Sequence, residues 1–109
     1  MVEKNEKLQA FAMEMKQGYT FVKEGKNEEA IKKLRPFVEL MRTSGAPNIR
    51  LFVSYSIAQI RTGDIEGFLQ TYAEIKEMEP KNPDEQSLKN QIDGFFTDLM
   101  DELQKNVEE

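Results

Sequence analysis

The side chains that ordinarily carry catalysis are missing from this 109-residue chain, which has no histidine and no cysteine. That removes the usual general base near neutral pH, the thiolate nucleophile, and the imidazole and thiolate ligands that hold zinc. What remains is carboxylate, and Asp93, Asp98, Asp101 and Glu102 are its densest set. A carboxyl that works as a general acid needs apolar enclosure to raise its pKa, and one that holds calcium needs an oxygen-rich loop. These four lie in a stretch of helical periodicity with neither surrounding, so they read as helix-surface acids. Lys32-Lys33-Leu34-Arg35 is a short basic run inside another helical stretch and reads as a solvated face, not a nucleic-acid contact. The expectation is a protein that is not an enzyme and carries no cofactor and no metal.

The totals narrow the class further. Charged residues make up 32% and apolar residues 39%, a balance that supports one folded domain over residues 1–109. The net charge of −5 argues against a phosphate-backbone partner. It is unevenly spread: residues 74–109 hold 11 acids and 4 bases, which leaves residues 1–73 at +2. No run approaches the roughly 18 uninterrupted apolar residues of a membrane span, and the first residues lack a leader-like apolar core. A cytoplasmic protein without membrane contact is expected.

Stripes of apolar residues at steps of three and four define five helices. Leu8, Phe11, Met15, Gly18 and Val22 mark the first, over roughly Glu3 to Glu24, and Gly18 inside that stripe predicts close approach by a neighbouring helix. Gly25 predicts the stop, because it can take the left-handed conformation that satisfies terminal carbonyls. Asn27 is placed to cap a second helix with Glu28 and Glu29 in its first turn. That helix carries Ala30, Ile31, Leu34, Phe37, Val38 and Met41, and Pro36 predicts a kink in it without a break. Thr43-Ser-Gly-Ala-Pro-Asn48 is the one clear internal hinge.

The segment Ile49 to Ile60 is apolar almost all round, which predicts a central helix covered on several sides. Thr62-Gly63-Asp64 closes it and caps the fourth, whose stripe is Ile65, Phe68, Leu69, Tyr72, Ile75 and Met78. Asn82-Pro83-Asp84-Glu85 then supplies a cap, a proline in the first helical position and a glutamate placed for a capping box. The fifth helix, to about residue 106, has a seam of Leu88, Ile92, Phe95, Phe96, Leu99, Met100, Leu103 and Val107. The seam is expected to pack on Phe68, Leu69, Tyr72 and Ile75, with Gly94 admitting a neighbour closely. Its rival is that this acidic, apolar helix lies as a built-in ligand in a basic-bordered groove, of its own chain or of a second copy.

Gly25 and Gly63 are 38 positions apart and close the same helix-turn-helix grammar, so the first hairpin is a repeat unit. Gly18, Phe21, Gly25, Ala30 and Leu34, and then Phe52, Tyr55, Gly63-Asp64, Leu69, Tyr72 and Pro80-Lys-Asn, give the chain a pattern that resembles the tetratricopeptide repeat family. The resemblance implies an all-α, right-handed α-α superhelix: one repeat over about 5–43, a second over about 48–80, and a C-terminal capping helix over about 83–106. Departures are Ser56 for the packing glycine, Gln17 and Phe68 for leucine and alanine, and a long first unit, surplus around Met41 to Pro47. In that family the first helix of each pair lines a concave groove for an extended peptide or a partner's helix. Carried onto this sequence, the groove comprises Met15, Tyr19, Val22 and Lys23 with Arg50, Val53, Ser54, Ile57 and Arg61, flanked by Ala12, Lys16 and Ile60. Met15, Tyr19 and Ser54 stand where the family's clamp for chaperone tails needs lysine and asparagine, which disfavours that ligand. The implied function is a scaffold for a protein or peptide partner; the alternative is a self-assembling structural module, for instance a homodimer.

Overall fold

The computed structural model describes residues 2–46 and 48–108, and among them there are five α-helices and no strand. They are α1 (Val2–Lys23), α2 (Asn27–Ser44), α3 (Ile49–Arg61), α4 (Ile65–Lys76) and α5 (Pro83–Glu108). The all-α class and every expected helix are present.

The two hairpin turns share one piece of backbone chemistry. At the first, Gly25 takes φ 79°, its N–H donates to Val22 O (3.2 Å), and Lys26 N–H donates to Phe21 O (2.8 Å). At the second, Gly63 takes φ 85°, with Gly63 N–H on Ile60 O (3.2 Å) and Asp64 N–H on Gln59 O (2.9 Å). Both ties satisfy carbonyls that the helix end leaves over. The residue after each glycine then precedes the next helix. Asp64 suits that place, and its carboxylate accepts from Gly67 N–H at 3.0 Å. Lys26 does not, having no acceptor, so α2 starts without a side-chain cap. Here the sequence reading needs correction: Asn27 is the first helical residue, one position too late to cap, and its Oδ1 is buried with no hydrogen-bond partner among the described residues.

Asn82 caps α5 as expected, accepting from Glu85 N–H at 2.8 Å, and Asn48, which the sequence leaves in the connector, caps α3 by accepting from Leu51 N–H at 3.1 Å. The Glu85 carboxylate reaches back to Lys81 N–H (2.8 Å), one residue beyond the usual capping-box partner. α2 passes through Pro36 as one helix. Gly18 is buried, and a Cβ there would stand 2.6 Å from Leu34 Cγ, so the glycine lets α1 and α2 close on each other.

α3 is the centre. Ile49, Leu51, Phe52, Val53, Tyr55, Ile57 and Ala58 are all buried along it, and it touches each of the other four helices. A polar chain locks the two hairpins on the far side from the proposed groove. Arg42 donates to both Glu74 carboxylate oxygens (2.8–3.0 Å) and to Thr71 Oγ1 (3.2 Å), and Thr71 Oγ1 donates to Gln59 Oε1 (2.8 Å). Thr71 is wholly buried and Gln59 nearly so, and unpaired they would cost about 1–3 kcal/mol each.

The placement of α5 differs from the sequence reading. It packs chiefly on α3 and only lightly on α4, whereas contact chiefly with α4 was expected. The part of that expectation that survives is Tyr72, whose ring stacks on Phe96 (centroids 4.4 Å apart, planes at 9°) and whose hydroxyl donates to Asp93 at 2.7 Å. Ile92 is completely buried. Gly94 is exposed and a Cβ on it would meet nothing within 4 Å, so it admits no neighbour. The reason is angular: Gly94 falls on the side of the helix opposite the stripe of Ile92, Phe96 and Leu99, while Gly18 falls within the stripe of its own helix.

Candidate functional site

α1 and α3 run parallel, their C-terminal ends tied by Arg61 Nη1 donating to Val22 O at 3.1 Å. α5 starts level with the end of α4, where Lys89 Nζ donates to Met78 O (2.6 Å), and passes Tyr72 through Asp93 and Phe96. It is therefore antiparallel to α4 and parallel to α3. Three parallel helices, α1, α3 and α5, wall a cleft of about 230 Å³.

Eight of the nine groove residues from the sequence line this one cleft: Tyr19, Val22, Lys23, Arg50, Val53, Ser54, Ile57 and Arg61. Met15, one turn before Tyr19, does not line it and packs against the core. Of the flanking three, Ile60 packs against the core, and Ala12 and Lys16 are exposed outside the cleft. Sequence reasoning missed Leu88 and Gln91 of α5, which form the third wall. Leu88 opens the α5 seam and was assigned to α4 with the rest of it; the shift of α5 toward α3 brings it to the cleft instead.

The floor is apolar. Val22, Val53 and Ile57 are each under 10% exposed, so they are committed to packing and present only an edge to the cleft. Over them stand cations. Lys23 and Arg50 are exposed, and neither lies within ion-pair distance of a carboxylate among the described residues. Arg61 spends one donor on Val22 O, which leaves part of its guanidinium facing outward. Burial pushes the Tyr19 hydroxyl above its ordinary pKa, and the charge of Arg50 offsets part of that. Tyr19 is thus a neutral donor at neutral pH beside a positive rim.

Such a site offers an apolar floor and several donors for carboxylate oxygens. No group of three or more acids that could hold a metal exists among the described residues. Asp98, Asp101 and Glu102 are spread along the exposed side of α5, and Asp93 is held by Tyr72. Nor is any described helix long and apolar enough to cross a membrane. Compared with family models, curated proteins and solved structures, the chain finds no match in any of the three.

Proposed function

We propose that the chain is a protein-interaction module of tetratricopeptide type that takes a short apolar segment bearing carboxylates from a protein partner into the cleft between α1, α3 and α5. The observation that carries this reading is the rim: Lys23 and Arg50 stand unpaired over an apolar floor. Two exposed cations facing one apolar cleft repel each other, whereas a ligand carboxylate gains charge-assisted hydrogen bonds from both. Tyr19 adds a rigid ring and a donor at little entropic cost. The cleft is too small for a whole helix, so one or two apolar side chains anchor the ligand and its acids meet the rim. On this reading the chain works in the cytoplasm as a scaffold, without cofactor and without catalysis.

Selection of displayed peptides on the immobilised protein tests it. The recovered sequences should join apolar residues to Asp or Glu. Their affinity, read by fluorescence anisotropy at about 0.15 M salt, should fall roughly tenfold or more for Arg50→Glu and for Lys23→Glu. Both side chains are exposed, so the variants keep the fold. Recovered peptides indifferent to both changes would place binding elsewhere and sink this cleft as the site.

A further inference from the structure

A second and larger hollow, of about 510 Å³, lies on the side of the molecule away from the cleft. Its walls are the last turns of α2 and α4. These two helices end side by side, because Arg42, near the end of α2, bonds Glu74 and Thr71, near the end of α4. The floor is apolar: the buried ring of Phe52 and the half-buried side chains of Met41 and Met78. Unbranched and polarizable, methionine fits itself to ligands of varied shape. The charge over this floor is negative. Arg42 is met by two carboxylates, Glu74 and Glu39, which leaves one negative charge in excess. Glu77 and Glu79 are exposed on the rim and pair with no cation among the described residues; even set against Lys81, the one other base there, they leave a second. The two helix ends add to this, since a C-terminal end carries partial negative charge. α3 and α5 begin at the same end of the molecule, but of their residues only Phe52 reaches the hollow, and Asn48 and Asn82 already accept from N–H groups of their first turns.

We infer that this hollow binds a basic, apolar segment of a protein partner, with an apolar side chain on Met41, Phe52 and Met78 and an adjacent arginine on Glu77 and Glu79. Arginine suits the rim better than lysine, because its planar fork meets carboxylates two bonds at a time. The protein already seats one guanidinium on this ground. Arg42 stands with Cζ 5.9 Å from the centroid of the Phe52 ring while its N–H groups are taken by Glu74, Glu39 and Thr71, so it is neutralised and has little left with which to repel a second. A free amine would leave most of an apolar floor this size wet, whereas a segment with an apolar residue beside its cation covers it. The hollow and the cleft have opposite charge and no lining residue in common, so a ligand suited to one is repelled by the other, and each site stands or falls by itself.

A labelled peptide of alternating leucine and arginine tests this, its binding to the full chain read by fluorescence anisotropy at about 0.15 M salt. The unaltered protein should bind it, and Glu77→Gln combined with Glu79→Gln should weaken binding by about tenfold. Both side chains are exposed, so the fold should not depend on them. Replacing the leucines of the peptide by serine should cost about tenfold or more, because the floor is then left uncovered. Two controls separate the hollow from the rest of an acidic protein: Lys23→Glu in the cleft, and Asp98→Asn, Asp101→Asn and Glu102→Gln together on α5, should each change the affinity by no more than about twofold. Absence of binding by the unaltered chain would overturn the inference. So would a loss that follows the three α5 acids and not Glu77 and Glu79, or a serine peptide that binds as well, either being the mark of general attraction to negative charge. Displacement of the peptide by butylguanidine as readily as by its unlabelled self would also overturn it, since the hollow would then serve a free cation and not a partner's segment.

Discussion

α1 and α5 look alike in sequence and are used differently. Both are long, both carry an apolar stripe, and both have an internal glycine. α1 is gripped by its hairpin partner, since Gly18 lets Leu34 press against its backbone and Arg61 fastens its end. α5 has no hairpin partner. It is held by a buried Ile92, by the stacked rings of Phe96 and Tyr72, and by the Asp93 hydrogen bond, and it leans toward α3. A helix fixed by a hairpin turn has its position dictated by a few residues of loop. One that arrives after Met78-Glu-Pro-Lys81 settles where its stripe buries the most, and here that place also makes a wall of the cleft.

The largest way to break the comparison is to remove one of its members. Deleting residues 83–109 uncovers the surface of α3 and Tyr72 that Ile92 and Phe96 occupy, and each such side chain is worth about 1.5–3 kcal/mol when fully buried. Set against a domain stability of roughly 5–15 kcal/mol, the loss should abolish cooperative unfolding, followed by circular dichroism, and favour aggregation. A remnant that melts cooperatively would mean that the two hairpins stand alone and that α5 is an occupant of the surface, not part of the fold.

Gly18→Ala attacks the grip on α1. Alanine gains about 1 kcal/mol of helix propensity, but its Cβ would fall 2.6 Å from Cγ of a completely buried Leu34. Overpacking of this kind costs about 1–3 kcal/mol, and Leu34 has no exposed side to move to, so after the helix-propensity gain a net destabilisation of up to about 2 kcal/mol is expected by denaturant titration. A neutral result would show that the α1–α2 contact yields easily.

Much of this was legible beforehand. The turns, the order and extent of the helices and the centrality of α3 follow from local signals: positive-φ glycines, side-chain caps and an unbroken apolar run at Ile49 to Ile60. The cleft was legible through a resemblance that orders the helices, which is why eight of its lining residues were named from sequence. What escaped depended on position between elements. Leu88 and Gln91 joined the cleft because α5 slid toward α3, a balance among several similar apolar surfaces that no single residue announces. Asn27 failed for the opposite reason, being a local decision between adjacent positions. There, the backbone tie at Lys26 fixed where α2 begins before a cap was chosen.

Tyr72→Phe weakens the hold on α5 without touching its packing. It removes the donor to Asp93 while keeping the ring stacked on Phe96, a loss of about 1 kcal/mol. A pH signature accompanies it. Burial, and then the hydrogen bond to Asp93 and its charge, push the Tyr72 hydroxyl up to about 12. Because the folded value lies above the unfolded one of about 10, this stability is complete below pH 10 and drains away as pH rises from 10 to 12. The unaltered protein should lose stability across that window, and Tyr72→Phe should lose less, since Tyr19 remains as the other tyrosine shifted upward. Parallel curves for the two proteins would mean that the Tyr72 hydroxyl ionises freely and that its bond to Asp93 does not hold α5.

Gly94→Ala is the smallest test and has the opposite sign to its counterpart on α1. Gly94 lies in the interior of α5, has no positive φ, and faces open space. A Cβ there meets nothing, so the substitution removes backbone freedom from the unfolded chain at no cost in the folded one, a gain of about 0.5–1 kcal/mol. Gly18→Ala and Gly94→Ala should therefore move the midpoint of denaturation in opposite directions. The stripe explains why: at 3.6 residues per turn Gly18 keeps step with Phe11 and Val22, whereas Gly94 is two residues from Ile92 and two from Phe96, across the helix from both. If Gly94→Ala destabilises, something covers that side of α5 in solution. A second copy is then the first candidate, and a dependence of the loss on protein concentration would identify it.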